Sequence, residues 1–163
     1  MKAAVLTVSD GVSAGVREDT SGDVLEELLR DEGYSVARTV VPDDADVIAA
    51  AIGSFGDAGV ALVLTTGGTG FAPRDVTPEA TRAAIEREAP GIPEALRAAS
   101  LAITRHAMLS RQIAGIRKRT LIVNMPGNPK AVKENLEVLL SVLPHALELL
   151  GGDPNAEAGH RTV

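Results

Sequence analysis

The chain has 163 residues, 45% hydrophobic and 23% charged, with a formal net charge of −6 and no cysteine. That length suits one domain able to bury a core. The acidic balance, and Tyr34, Phe55 and Phe71 as the only aromatics, exclude a charge-driven or base-stacking nucleic-acid binder, and the missing thiols exclude disulfides and thiolate metal sites.

Taken in chain order, residues 3–8 read as a short buried strand. The apolar part of this N-terminus is too short for a signal peptide, and no stretch approaches a membrane span, so a cytoplasmic protein is expected. Residues 9–19 form a loop rich in Ser, Gly and Asp. Thr20 with Asp23 resembles a capping box, and Ser21, Val24, Leu25, Leu28 and Leu29 make one helical face. Gly33 ends that helix, and 34–41 alternates as a second strand. Pro42-Asp43-Asp44 is a turn, after which Val47, Ile48, Ala51, Ile52 and Phe55 give another helix face. Glycines in 56–59 break it, and a third strand begins at Val60. A helix follows from Pro78 to about residue 88, Pro90-Gly91-Ile92-Pro93 breaks it, and a further helix is expected over 94–108. Residues 120–123 are the clearest strand of the stretch 115–123, and a second turn-rich loop occupies 124–129. Helical patterns at 129–140 and 144–150 close a domain of residues 1–151, and 152–163 reads as a polar, flexible tail. Strands alternating with helices imply an α/β fold of three layers, a mainly parallel sheet with helices on both faces. Right-handed crossovers bring the loops after the first three strands to one edge of that sheet.

The stretch richest in chemistry is Thr65-Thr66-Gly67-Gly68-Thr69-Gly70, followed by Phe71-Ala72-Pro73-Arg74-Asp75-Val76-Thr77-Pro78. It is no Walker A loop, because no lysine lies between Lys2 and Lys118. It is a poor dinucleotide fingerprint, because Pro73 intervenes before the helix starts. Its amides, with the Thr66 and Thr69 hydroxyls, can hold phosphoryl oxygens; the alternative is a tight turn that needs glycine for positive φ. Asp75 reads as a turn residue paired with Arg74 or as a Mg2+ carboxylate, and Asp43 as a helix cap or a second such ligand. Asp10 can join them. Asn128 before Pro129 is a helix cap or the mouth of an anion site. Arg111, Arg117, Lys118 and Arg119 are a solvated basic face or a landing site for a polyanion. His106, His145 and His160 are scattered and suggest no metal cluster.

These pieces resemble the MogA/MoaB family of molybdopterin adenylyltransferases over residues 5–151. The resemblance is carried by Val8-Ser9-Asp10, Pro42-Asp43, the glycine loop, Arg74-Asp75-Val76-Thr77-Pro78, Leu109-Ser110-Arg111 and Asn124-Met125-Pro126-Gly127-Asn128-Pro129-Lys130. It implies the three-layer fold of the molybdenum cofactor biosynthesis proteins and a homotrimer or an assembly of trimers. It implies transfer of AMP from ATP to the molybdopterin phosphate with release of pyrophosphate, in a Mg2+-dependent reaction, and a molybdenum-insertion protein as partner. The resemblance makes Asp43 and Asp75 the catalytic and metal-holding pair. Ser9, Asp10, Thr66, Gly67, Gly68, Thr69, Gly70, Ser110 and Asn128 become the substrate contacts. Phe71-Ala72-Pro73 departs from smaller or more basic residues at that place in some members. The alternative within the family is a non-catalytic, MoaB-like molybdopterin carrier; retention of both aspartates favours the enzyme.

Overall fold

Apolar residues alternate between two faces along nearly every long strand, and this alternation builds the molecule. The computed structural model describes residues 1–152, 154 and 156. The expected tail and His160 therefore lie almost wholly outside the described residues. The elements run β1 (Lys2–Val8), α1 (Asp10–Ser13), α2 (Thr20–Asp31), β2 (Ser35–Val41), α3 (Ala45–Asp57), β3 (Leu62–Thr66) and α4 (Thr77–Ala84). They continue with β4 (Arg87–Glu88), α5 (Gly91–Leu101), a 3₁₀ turn (Arg105–Leu109), β5 (Ala114–Arg117), β6 (Thr120–Met125), α6 (Pro129–Leu140) and α7 (Leu143–Gly151).

The six strands among the described residues form one sheet in the order β2-β1-β3-β6-β5-β4. β2, β1, β3 and β6 are parallel, while β5 runs antiparallel to β6 and β4 antiparallel to β5. Register places Val5 opposite Leu64 and Leu64 opposite Val123, and one residue earlier Ala4 opposite Val63 and Val63 opposite Ile122. The first row packs with Leu25, Leu96, Val132 and Leu143, from α2, α5, α6 and α7. The second packs with Ile48, Ile52, Ala80 and Ala84, from α3 and α4. The sheet is thus buried on both sides, as the three-layer reading requires.

Several boundaries differ from expectation. The helix after the glycine loop stops at Ala84 rather than near residue 88. There Glu86 N–H and Ala89 N–H find the carbonyls of Ile116 and Ala114 at 2.8 and 2.9 Å, and Pro90 disfavours helical backbone at Ala89. The segment 90–93 starts a helix instead of separating two. Proline is tolerated in a first turn, where its missing N–H has no intrahelical partner to lose. That helix ends at Leu101, and a separate 3₁₀ turn follows, capped by the Thr104 hydroxyl, which accepts from His106 N–H at 3.3 Å. The basic stretch near residue 118 is a hairpin turn, with Lys118 left-handed at φ 52°. α2 is capped by Asp19 and not by Thr20, and α3 by Asp44 and not by Asp43.

Candidate functional site at the carboxyl edge of the sheet

Strand order reverses between β1 and β3. The chain leaves β1 for β2 on one side of the sheet and enters β3 on the other, so the loops at their carboxyl ends diverge. Crevices at such switch points bind ligands in open α/β sheets. Here the crevice is a cavity of about 260 Å³ lined by Ser9, Asp43, Thr66, Gly67, Gly68 and Asp75, among others. The expected convergence of three loops on one edge is therefore found.

The glycine loop is shaped by its exit from β3. Gly67 and Gly68 are left-handed, at φ 96° and 66°. A side chain on Gly67 would run into the Val8 carbonyl, and one on Gly68 into the Thr77 hydroxyl. Thr77, at the start of α4, holds both carbonyls: its N–H donates to Gly68 O at 3.1 Å and its hydroxyl to Gly67 O at 2.9 Å. With those carbonyls turned toward α4, the amides of Gly67, Gly68, Thr69 and Gly70 have no acceptor among the described residues. Successive unpaired amides of this kind form an anion-binding concavity.

The two aspartates stand on separate loops at this cavity, each half-buried. Asp43 Oδ2 accepts from Asp10 N–H at 2.8 Å, and Asp10 Oδ1 accepts in return from Asp43 N–H at 3.0 Å. Asp75 Oδ2 accepts from Ala72 N–H at 2.9 Å. The second carboxylate oxygen of each has no hydrogen-bond donor among the described residues. Two carboxylates with spare oxygens beside unpaired amides fit Mg2+, a hard cation usually held by one or two carboxylates plus substrate phosphates. Asp10 does not join them. Its carboxylate is taken by Arg74, through Nε at 2.5 Å and Nη2 at 3.1 Å. That bond first, then the Asp43 amide, holds the Asp10 carboxyl below its ordinary value of 3.8. Arg74 accordingly pairs with Asp10 and the Asp43 carbonyl, not with Asp75. No group of three or more His, Cys, Asp or Glu side chains suited to a metal occurs among the described residues.

Four sequence-predicted residues lie at a different cavity. Thr69, Gly70, Ser110 and Asn128 line a second cavity of about 310 Å³. Thr66 is buried, and its hydroxyl proton is committed to the Pro126 carbonyl at 2.7 Å. The Asn128 side-chain oxygen caps α6, accepting from Lys130 N–H at 2.9 Å and Ala131 N–H at 3.2 Å. Of the basic residues, Arg117 and Lys118 pair with Asp57, which excludes them from the crevice. Arg97 escaped sequence reasoning, and Arg111, read there as part of a solvated face or a polyanion landing site, has a different place. Arg97 lines the second cavity and donates to the carbonyls of Gln112 and Ser110 at 2.8 and 3.4 Å. Arg111 grips the glycine loop itself, with Nε on Gly70 O at 2.7 Å and Nη2 on Asp75 O at 2.6 Å. Neither has a spacing signal, since both bind carbonyls that only folding brings near.

Comparison with known proteins agrees with this fold. Residues 4–145 match the family model described as a probable molybdopterin binding domain. Gephyrin of Dictyostelium discoideum is 44% identical over 93% of this chain, which spans 23% of gephyrin's length. A molybdopterin adenylyltransferase of Helicobacter pylori strain J99 is 40% identical over 91% of this chain and 87% of its own. Among solved structures, the molybdopterin biosynthesis enzyme MoaB of Thermus thermophilus superimposes with a TM-score of 0.87. It is 47% identical, and the match covers 94% of this chain and 98% of that one. With residues 4–145 matched by the family model, and relatives of 40% and 47% identity matched over most of both chains, the chain belongs to the MogA/MoaB family.

Proposed function

We propose that the protein is a molybdopterin adenylyltransferase of molybdenum cofactor biosynthesis. The observation that carries this reading is the meeting, in one cavity, of the Asp43 and Asp75 carboxylates with the unpaired amides of the glycine loop. The relatives named for this activity support it. In the reaction, an oxygen of the molybdopterin phosphate attacks the α-phosphorus of ATP. A new P–O bond forms, the bond to the bridging oxygen breaks, and pyrophosphate leaves with that electron pair. The nucleophile is already an anion, so no strong base is required. The chain must instead orient two like-charged groups and shield them from each other. The amides of Gly67 to Gly70 bind phosphoryl oxygens without adding a mobile charge. The two cavities, one on each side of the loop, offer a compartment for each substrate, with the phosphates meeting at the loop. Asp43 and Asp75 would hold Mg2+, which when bound supplies charge neutralisation between the phosphates. Ser9 at the first cavity and Ser110 at the second supply hydroxyls for orientation.

The test is pyrophosphate release from ATP by the purified protein. Release that requires both molybdopterin and a divalent cation supports the reading. Tight molybdopterin binding without release overturns it in favour of a carrier. The homotrimer implied by the family belongs to the same proposal. Leu101, Ile103, Met108 and Leu109, exposed on one segment, provide apolar surface for it to bury. Sedimentation that finds monomer alone rejects that assembly. No helix among the described residues is long and apolar enough to cross a membrane, and we place the reaction in the cytoplasm, ahead of a molybdenum-insertion protein that consumes the adenylylated product.

A further inference from the structure

The segment 71–74 between the glycine loop and Asp75 is exposed and has no regular secondary structure. Its backbone makes a turn, Asp75 N–H to Ala72 O at 2.9 Å, and a return bond from Ala72 N–H to Asp75 Oδ2 at 2.9 Å, while its Arg74 side chain reaches across to Asp10 and the Asp43 carbonyl. Such a short strap, with Phe71 66% exposed at its head, does not by itself fix where the Asp75 carboxylate lies. Both of its ends are held by one residue from a different part of the chain. Arg111 N–H donates to Thr69 O at 2.9 Å, its Nε to Gly70 O at 2.7 Å, and its Nη2 to Asp75 O at 2.6 Å. Glu79, in the first turn of α4, pairs with Nη1 of the same guanidinium. That pairing holds the Glu79 carboxyl below its ordinary value of 4.5. A guanidinium is planar, permanently charged and carries its donors in a fixed fork. Bonds to two carbonyls therefore set the separation and tilt of the two ends of the strap. Lysine, with a single ammonium, cannot reproduce that fork.

We propose that Arg111 is a positioning residue for Asp75: by clamping the carbonyls of Gly70 and Asp75 it holds the Asp75 carboxylate at the phosphate cradle, without itself touching substrate. This rests on the adenylyl-transfer reading for its kinetic consequence. It does not rest on that reading for its structural one.

Both are tested with Arg111→Gln, Arg111→Lys, Asp75→Asn and the Arg111→Gln/Asp75→Asn double variant, in single turnover with enzyme in excess so that slow rates are measured. Arg111→Gln is expected to lower the rate of adenylyl transfer by about 10- to 100-fold, as a misplacement of about 1 Å can, with half-saturation for ATP and molybdopterin changed by less than about 3-fold. Arg111→Lys recovers only part of the loss. In the Asp75→Asn background, Arg111→Gln costs less than about 2-fold more, because the group it positions is already gone. Independent, multiplicative losses mean a merely structural role and overturn the inference. Amide hydrogen exchange of residues 70–76 is expected to quicken in Arg111→Gln while exchange in β1 and β3 is unchanged. Unaltered exchange in 70–76 overturns the inference even if the wild type turns nothing over, an outcome that by itself sinks only the adenylyl-transfer reading. If Arg111→Gln fails to fold, Glu79→Gln removes the carboxylate that pairs with the same guanidinium. It is expected to give the same two effects, smaller, and their absence there overturns the inference equally.

Discussion

At the scale of single residues, the site separates carboxylates that are spent from carboxylates that are available. Asp19 caps α2 and also receives the Thr7 hydroxyl at 2.7 Å and Arg38 at 2.5 Å. Asp10 is committed to Arg74. Asp43 and Asp75 each keep an oxygen free of donors beside the glycine loop. Asp75→Asn removes charge but little volume, so it is expected to lower adenylyl transfer at least about 100-fold while the molybdopterin Kd, from calorimetry, moves less than about 3-fold. Equal losses in both would contradict the metal-holding role. Asp10 yields a pH prediction of opposite character. Its folded pKa is depressed, so the contribution of its pairing is fully present above the unfolded value of about 3.9. That contribution is lost as pH falls through the still lower folded value. The pair is solvent-exposed and weakly stabilising, so activity between about pH 5 and 8 is expected to be indifferent to Asp10 titration. NMR titration of the Asp10 carboxyl should give a midpoint below 3.8; a midpoint at or above it means that Arg74 does not hold Asp10 in solution. Which carboxylates were available was not legible in the sequence. By residue type and spacing Asp10, Asp43 and Asp75 look alike, and only the resemblance set Asp10 apart; in the fold the difference is made by Arg74, 64 positions from Asp10.

At the scale of elements, the parts that read correctly were those whose cause is local. The apolar runs of β1 and β3, the faces of α2 and α3, and the breaks at Gly33 and Gly59 follow from periodicity and from positive φ at those glycines. The glycine loop belongs with them. Gly67→Ala would place a β-carbon against the Val8 carbonyl in a left-handed residue. It is expected to destabilise the fold by about 2 kcal/mol or more in urea unfolding and to abolish adenylyl transfer. An alanine variant with unchanged stability would show that the loop is less constrained than its geometry states. The elements that read wrongly were decided by neighbours. β4 is a strand because β5 presents free carbonyls to it, whereas its own sequence, Arg87-Glu88, continues a helical pattern. Asp19 rather than Thr20 caps α2 because Thr7 and Arg38 draw its carboxylate into place.

At the scale of the whole molecule, two cores clasp one sheet, and the candidate site occupies the edge where the two sets of crossovers part. Leu64 is fully buried in the larger core, between Val5 and Val123. Leu64→Ala is expected to cost about 3 kcal/mol and, at roughly 2–4 °C per kcal/mol for a domain of this size, to lower Tm by roughly 10 °C. Calorimetry that found a loss of a degree or less would mean the core repacks around the gap. Because the glycine loop leaves β3 only two residues after Leu64, activity should fall in step with folded fraction rather than through any direct contact. The alternation of the main strands and helices, the place of the glycine loop and the kinship of the chain were readable from residues near one another in the chain, since backbone conformation and hydrophobic period are properties of short stretches. Arg74 on Asp10, Arg111 on the strap and the division of the candidate site residues between two cavities were not. Each is a meeting of segments distant in sequence, and its partner is chosen by separation and direction in space, quantities that no spacing along a chain encodes.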